Sequence, residues 1–241
     1  MSDAKSGTQQ WAELKVILQA KLDEFYGQLA QAHSAADQTF TDRLKRLNNP
    51  TLVGRLQDCQ KSLAINYRLS QKHRQFCVDK IAESDRVLSD SVAATQQAAT
   101  TAGLPAVSDT AETLFAAQLA AGTSRIVVDA LCLCATLAAL LGHKEAVAFV
   151  AGAKQELLGA IFDPGAGVGT LLKRLYAVAS RTLRADQDAN ELLNSLDAFE
   201  ELMTKWRDIN VAMSQGVTFP DALHNAFAEL LRKLEANAAP R

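Results

Sequence analysis

Residues 11–47 read WAELKVILQAKLDEFYGQLAQAHSAADQTFTDRLKRL, and they decide the fold because their apolar positions recur with a helical period. An eleven-residue repeat corresponds to about 3.67 residues per turn, so the apolar stripe stays on one face of a nearly straight helix. The stretch therefore predicts a long helix that packs along its whole length. The stripe consists of Trp11, Leu14, Leu18, Leu22, Phe25, Leu29, His33, Ala36, Phe40, Leu44 and Leu47.

A second long helix follows after a short break. Pro50 ends the first helix, because a proline forces the residue before it out of the helical region. The next helix is predicted from about Leu52 to Ala102, with Gly103 as the residue that stops it. Two helices of this length joined by a short turn predict an antiparallel, coiled-coil-like hairpin over residues 11–103.

The following segment is far more apolar. A helix is predicted from Asp109, with Glu112 completing its N-terminal cap, to about Leu141, and its residues 126–141 are apolar on all sides. Asp129 interrupts this run, and we expect it near the edge of a bundle or paired with Arg125 one turn earlier. A further apolar helix is predicted over residues 144–162, then a loop over 163–169 and a helix over 170–183.

The C-terminal part completes an all-α fold. Leu192, Phe199, Trp206 and Met213 lie seven residues apart and predict an amphipathic helix, and a capping pattern at residues 218–221 opens a last one. No segment alternates with the period of a strand. We therefore predict a disordered N-terminus over residues 1–10, the hairpin over 11–103 and a helical bundle over 107–238.

Composition argues against several classes of function. The net charge of −2 gives no general attraction to nucleic acid. The cysteines and histidines do not cluster with the spacing of metal ligands, so we expect buried free thiols, no metal and no cofactor. His33 is expected to be a seam residue, snorkelling or hydrogen-bonded, rather than a ligand. The N-terminal residues lack the apolar core of a secretory signal, which favours the cytoplasm.

No catalytic motif is evident. The glycines at 165, 167 and 169 precede Lys173 but lack the Gly-Lys-Ser/Thr of a phosphate-binding loop, so a flexible connection is the better interpretation. The acidic residues of the 192–213 helix are interpreted as its solvated face. A basic stretch on the second helix is interpreted in the same way, the alternative being a patch for acidic lipid headgroups or an acidic partner. It comprises Arg68, Lys72, His73, Arg74 and Lys80.

These features favour a non-enzymatic scaffold or adaptor that acts through helix–helix contacts with a partner protein or with itself. The alternative is a membrane-active helical protein, either curvature-binding or pore-forming through the apolar hairpin of residues 126–162. A membrane is thus a possible partner, though not the favoured one. The candidate interaction residues are the large aromatics of the stripes, namely Trp11, Phe25, Phe40, Phe199 and Trp206.

Overall fold

The computed structural model describes residues 5–103, 109–143 and 189–238, together with residues 177, 180 and 182. These ranges contain helices and no strand, which confirms the all-α prediction. The helix predicted for 144–162, the glycine loop of 163–169 and all but three positions of the 170–183 helix lie outside the described residues. The described helices are α1 (Gly7–Leu44), α2 (Pro50–Thr101), α3 (Asp109–Leu140), α4 (Ala189–Ser214) and α5 (Phe219–Ala238).

The hairpin of α1 and α2 forms where the sequence predicts it. Asn49 has an extended backbone, and its side-chain oxygen accepts hydrogen bonds from the N–H groups of Thr51 and Leu52 at 3.0 and 3.2 Å. Pro50 is the first residue of α2, where its missing N–H costs nothing. Gly103 ends the helix with a positive φ of 64°, a conformation that glycine adopts without steric strain.

The start of α1 differs from the prediction. The helix begins at Gly7 rather than at Trp11, because Ser6 and Gln9 form a capping box that satisfies the first free N–H groups. The carboxylate of Glu112 also accepts hydrogen bonds from the backbone N–H and the hydroxyl of Thr8. Glu112 therefore caps the N-terminus of α1, a role that its predicted place in the cap of α3 did not suggest.

Gly7 lies at a close approach between α1 and α3. A Cβ atom there would stand 2.8 Å from the carbonyl oxygen of Glu112 and 2.8 Å from the Cα atom of Thr113. Both are backbone atoms, so a larger residue would have to displace the helix itself. Gly27, inside the same helix, has no such neighbour within 4 Å.

The two glycines give a matched pair of substitutions. Gly7→Ala is expected to destabilise the protein by about 1–3 kcal/mol, because the methyl group overpacks the contact between α1 and α3. Gly27→Ala is expected to stabilise it by about 0.5–1 kcal/mol, because glycine is a poor residue in a helix interior. Urea denaturation of both variants measures the difference, and a stabilising Gly7→Ala would contradict the close contact.

Helix α3 is the axis of the bundle. Every residue from Val127 to Leu141 is buried, and the helix packs against α1, α2, α4 and α5. The apolar run predicted for residues 126–141 is thus buried from Val127 onward, and Ile126 is partly buried. Because α3 packs along both helices of the hairpin, the division between residues 11–103 and 107–238 stays a prediction.

The eleven-residue stripe of α1 faces this axis. Leu18, Leu22, Phe25 and Leu29 are all buried, and the Sγ atom of Cys134 on α3 lies 3.6 Å from the carbonyl oxygen of Phe25. The stripe residues Leu14, Leu44 and Leu47 are partly buried at the margin of the same core. The stripe is therefore occupied within the chain, mainly by α2 and α3.

Candidate interaction surface

The five aromatic residues predicted for interaction all lie inside the fold. Each is buried, with at most 3% of its surface exposed, and they contribute to one continuous core: Trp11, Phe25, Phe40, Phe199 and Trp206. Phe40 of α1 meets Phe199 of α4 edge-on, with ring centroids 5.8 Å apart. Contact of these side chains with another protein would require the helices to separate.

The ring nitrogens of the two tryptophans donate hydrogen bonds to neighbouring helices. Trp11 donates to a carboxylate oxygen of Asp85 on α2 at 2.9 Å, and Lys15 binds the other oxygen at 2.9 Å. The hydrogen bond from Lys15 has the larger effect in lowering the pKa of Asp85, and the hydrogen bond from Trp11 lowers it further. Trp206 donates to the carbonyl oxygen of Leu133 at 3.1 Å, which fixes α4 against α3.

A surface available to a partner lies instead on α2. Ile65 and Phe76 are each 46% exposed, and because eleven residues separate them they occupy the same side of the helix. Leu69 is partly buried between them, and Arg68 and Lys72 border the apolar side chains. We call these five residues the α2 face. At 1.5 Å per residue, it extends about 16 Å along the helix.

The charge of the α2 face is not neutralised within the described part of the chain. Arg74 pairs with Asp23 at 2.6 Å and Lys80 with Glu83 at 2.5 Å, so these two basic residues are compensated. Arg68 and Lys72 form no ion pair with any described residue. The pair of Arg74 with Asp23 joins α2 to α1, and that of Lys80 with Glu83 lies within α2. The centre of the α2 face carries positive charge beside exposed apolar side chains.

The acidic residues of α4 are partly structural. Arg55 of α2 binds Asp197 at 2.5 Å and Glu200 at 3.0 Å, so the two carboxylates join α4 to the hairpin. The hydrogen bond to Glu200 has the larger effect in raising the pKa of Arg55, and the hydrogen bond to Asp197 raises it further. The interpretation of this side of α4 as a solvated face therefore misses a contact between helices.

Asp129 has a different partner from the one expected. Only 9% of the residue is exposed, and its Oδ2 atom accepts a hydrogen bond from the backbone N–H of Phe219 at 3.3 Å. It therefore caps the N-terminus of α5, where the helix dipole favours a negative charge. Burial raises the pKa of the carboxyl group, the Phe219 N–H and the charge of Arg125 oppose the rise, and Asp221 reinforces it.

This raised pKa predicts a pH-dependent contribution to stability. The folded protein binds a proton at Asp129 more readily than the unfolded chain, so stability falls as pH rises from the ordinary value of 3.8 through the raised pKa. Asp129→Asn keeps an acceptor for the Phe219 N–H and removes the titration. As pH rises, the unaltered protein should therefore lose unfolding free energy relative to Asp129→Asn. Urea denaturation of both proteins at a series of pH values measures this change. A difference independent of pH would contradict the assignment.

His33 lies at the seam between α1 and α2, as expected of a residue that snorkels or forms a hydrogen bond there, and it makes a stacking contact. Its ring lies 4.2 Å from that of Tyr67 across the hairpin, and its buried Nε2 atom has no hydrogen-bond partner among the described residues. Burial lowers its pKa, opposed by the nearby charge of Asp37. His33 is thus a neutral aromatic partner at the seam between α1 and α2.

The cysteines are buried free thiols, as predicted. Burial raises the pKa of Cys59 and of Cys77 to about 12, and it raises the pKa values of Cys132 and Cys134 as well. A raised pKa leaves little of the thiolate, which is the reactive species, so these thiols have low reactivity in the folded chain. Within the described ranges, no group of three His, Cys, Asp or Glu side chains is placed to hold a metal ion.

Comparison with known proteins gives no relative. No family model matches the chain, and no curated protein or solved structure matches it.

Proposed function

We propose that this chain is a non-enzymatic helical scaffold or adaptor that binds a partner protein through the α2 face. The observation that carries the proposal is the pair of exposed apolar residues Ile65 and Phe76, aligned on one side of α2 with Lys72 between them. Large apolar side chains exposed in a row are typical of contact surfaces, since burying them is favourable.

The spacing of the α2 face suits a helix as the bound element. Ile65, Leu69, Lys72 and Phe76 follow one another at intervals of four, three and four residues, the spacing by which one helix presents side chains to another. The same face is supported from behind by the bundle, because Asn66 of α2 donates to the carbonyl oxygen of Met203 on α4 at 3.0 Å. A partner helix would therefore meet a fixed surface.

Charge selects the kind of partner. Arg68 and Lys72 border the apolar side chains and lack an ion pair with any described residue. Complementary charges at the rim of an interface favour encounter and set its orientation. The partner we propose is accordingly an amphipathic helix of another protein, with an apolar stripe and acidic side chains beside it.

Photo-crosslinking in the source cells tests this proposal. Benzoylphenylalanine replaces Asp79, which is exposed and lies one turn beyond Phe76. The expected product is an adduct with another protein whose crosslinked segment is an acidic amphipathic helix. Phe76→Ser and Lys72→Glu should each abolish the adduct, because they remove the apolar anchor and reverse the charge of the α2 face.

The control is Leu114→Ser on α3, which changes an apolar side chain that is 63% exposed but lies outside the α2 face. It should leave the adduct unchanged. The proposal is overturned by the absence of an adduct, by an adduct with a second copy of this chain, or by an adduct that persists in Phe76→Ser.

A membrane-active function is the second candidate, and the character of α3 favours it. The helix is long and apolar enough to cross a bilayer, with 31 residues from Thr110 to Leu140 where about 20 suffice. Most of that apolar surface is buried by neighbouring helices, so the bundle would have to open. Dye release from phospholipid vesicles on addition of the intact protein supports this candidate, and intact vesicles at micromolar protein argue against it.

A further inference from the structure

The apolar part of the α2 face lies on the side of α2 that borders α4. Arg55, Leu69 and Phe76 are separated by multiples of seven residues, which is close to two helical turns, so they lie near one side of α2. Arg55 binds Asp197 and Glu200 of α4, which shows that this side borders α4. The exposed ring of Phe76 therefore lies at the boundary between the two helices.

Helix α4 presents a matching row of residues along this boundary. Asp197, Thr204 and Val211 lie seven residues apart, and all three are exposed. Because Asp197 is bound by Arg55, the side of α4 that carries this row borders α2. Val211 is 46% exposed, the same fraction as each of the two exposed apolar residues of the α2 face.

The contacts between α2 and α4 determine which part of α2 lies beside Val211. The pair of Arg55 with α4 joins positions 142 residues apart in sequence, and the hydrogen bond from Asn66 to Met203 joins positions 137 residues apart. Both members of these contacts advance along the chain together, so the two helices are parallel. At these offsets, Val211 lies level with residues 69–74 of α2.

A contact at the same level supports this register. Burial lowers the pKa of His73, and a hydrogen bond with the backbone of Asn210 opposes the lowering, so α4 still lies beside α2 at this point. Val211 therefore follows Leu69 and precedes Phe76 along the boundary. We call the surface formed by Ile65, Leu69, Phe76 and Val211 the α2–α4 groove.

Both helices supply basic side chains to this groove. Arg68 and Lys72 of the α2 face lie on its α2 side. Arg207 lies on its α4 side, one turn before Val211 and seven residues after Glu200, which contacts α2. Arg207 is exposed and forms no ion pair with a residue in the described ranges. The positive charge that borders the apolar residues thus extends across two helices.

We infer that the partner helix lies in the α2–α4 groove and carries acidic side chains on both sides of its apolar stripe. This inference rests on the proposed function and adds α4 as the second half of the binding site. A helix that packs between two others buries apolar side chains of both, whereas a helix on α2 alone would leave Val211 in water. Acidic residues on its two sides would meet Arg68 and Lys72 on α2 and Arg207 on α4.

Photo-crosslinking from α4 tests this inference in the full-length protein in the source cells. Benzoylphenylalanine replaces Asp208, which is exposed and lies one turn before Val211, in parallel with the Asp79 position on α2. Both positions should give adducts with the same helix of the same partner, and that helix should be acidic on both sides of its apolar stripe. Val211→Ser should lower the yield of both adducts about tenfold, because it removes an apolar contact. Arg207→Glu should lower both yields as well, because it reverses the charge on the α4 side.

The matched control is Val16→Ser on α1, at a position that is 63% exposed. Helix α1 packs on a different side of α2 from α4, so both adducts should form as in the unaltered protein. Circular dichroism of each variant verifies that it is folded.

The outcomes separate this inference from the proposed function. An adduct from Asp79 without one from Asp208 would overturn the α2–α4 groove and leave the α2 face as the site. Absence of the Asp79 adduct would overturn both. An Asp208 adduct that involves a different segment of the partner, or that persists in folded Val211→Ser and Arg207→Glu, would also overturn the groove.

Discussion

Replacement of Leu133 by aspartate is expected to unfold the helical bundle. The side chain is fully buried at the centre of α3, within the run from Val127 to Leu141 where every residue is buried. A carboxylate there would be withdrawn from water among apolar side chains, and an uncompensated buried charge costs about 3–5 kcal/mol or more. Such a loss is comparable to the whole stability of many domains, which is about 5–15 kcal/mol.

Far-UV circular dichroism during urea denaturation measures this effect. Leu114→Asp places the same charge on the same helix at a position that is 63% exposed, and it should change the unfolding free energy by only about 0.5 kcal/mol or less. A Leu133→Asp protein with an unaltered denaturation midpoint would show that α3 is not the axis of the bundle.

Replacement of Trp206 by alanine is expected to cost about 3–5 kcal/mol of unfolding free energy, the usual range for removing a large aromatic side chain from a core. Trp206 is fully buried on α4, and its ring nitrogen donates to the carbonyl oxygen of Leu133. The variant loses both the packing volume and the hydrogen bond between α3 and α4.

Two further variants separate these contributions. Trp206→Phe keeps much of the volume and loses the hydrogen bond, so it should cost less than Trp206→Ala. Val211→Ala truncates a half-exposed side chain of the same helix and should have a small effect. Equal costs for Trp206→Ala and Val211→Ala, from denaturant midpoints, would contradict the burial of Trp206.

Periodicity predicted the helices well because it reflects which side of each helix is buried. The stripe from Trp11 to Leu47 identified the buried side of α1, and the seven-residue spacing of Leu192, Phe199 and Trp206 identified that of α4. The bounds of α2 also followed from sequence, since Pro50 and Gly103 act locally. The start of α1 could have been found as well, because Ser6 and Gln9 stand at capping-box spacing.

The interaction surface could not be inferred in the same way. A stripe of large apolar side chains shows that a helix packs against something, but not whether that partner belongs to the same chain. Phe40 and Phe199 therefore suggested a surface for another protein, whereas they pack against each other. Phe76 was expected to continue the buried stripe of α2 with Ile81 and Leu88, but it is 46% exposed, and its eleven-residue spacing from Ile65 does not by itself distinguish an exposed side of a helix from a buried one.

The role of Asp129 depends on tertiary structure alone. Its partner, the N–H group of Phe219, lies ninety residues away in sequence, and nothing local indicates that α5 begins beside α3. The sequence identified Asp129 as an unusual charge in an apolar helix and suggested Arg125 as its neighbour.

The proposed scaffold keeps its helices packed while it binds a partner, whereas the membrane-active alternative requires the bundle to open. The most direct test is to label the four buried thiols in the presence and absence of anionic phospholipid vesicles. Cys59 and Cys77 lie on α2, Cys132 and Cys134 lie on α3, and all are buried. A brief exposure to iodoacetamide followed by mass spectrometry should find all four unmodified under both conditions. The thiol of Cys77 faces the carbonyl oxygen of Ile126 on α3, and that of Cys59 faces Glu200 on α4. Modification of Cys77 on addition of vesicles would show that α2 has left α3, and would contradict the scaffold in favour of membrane insertion.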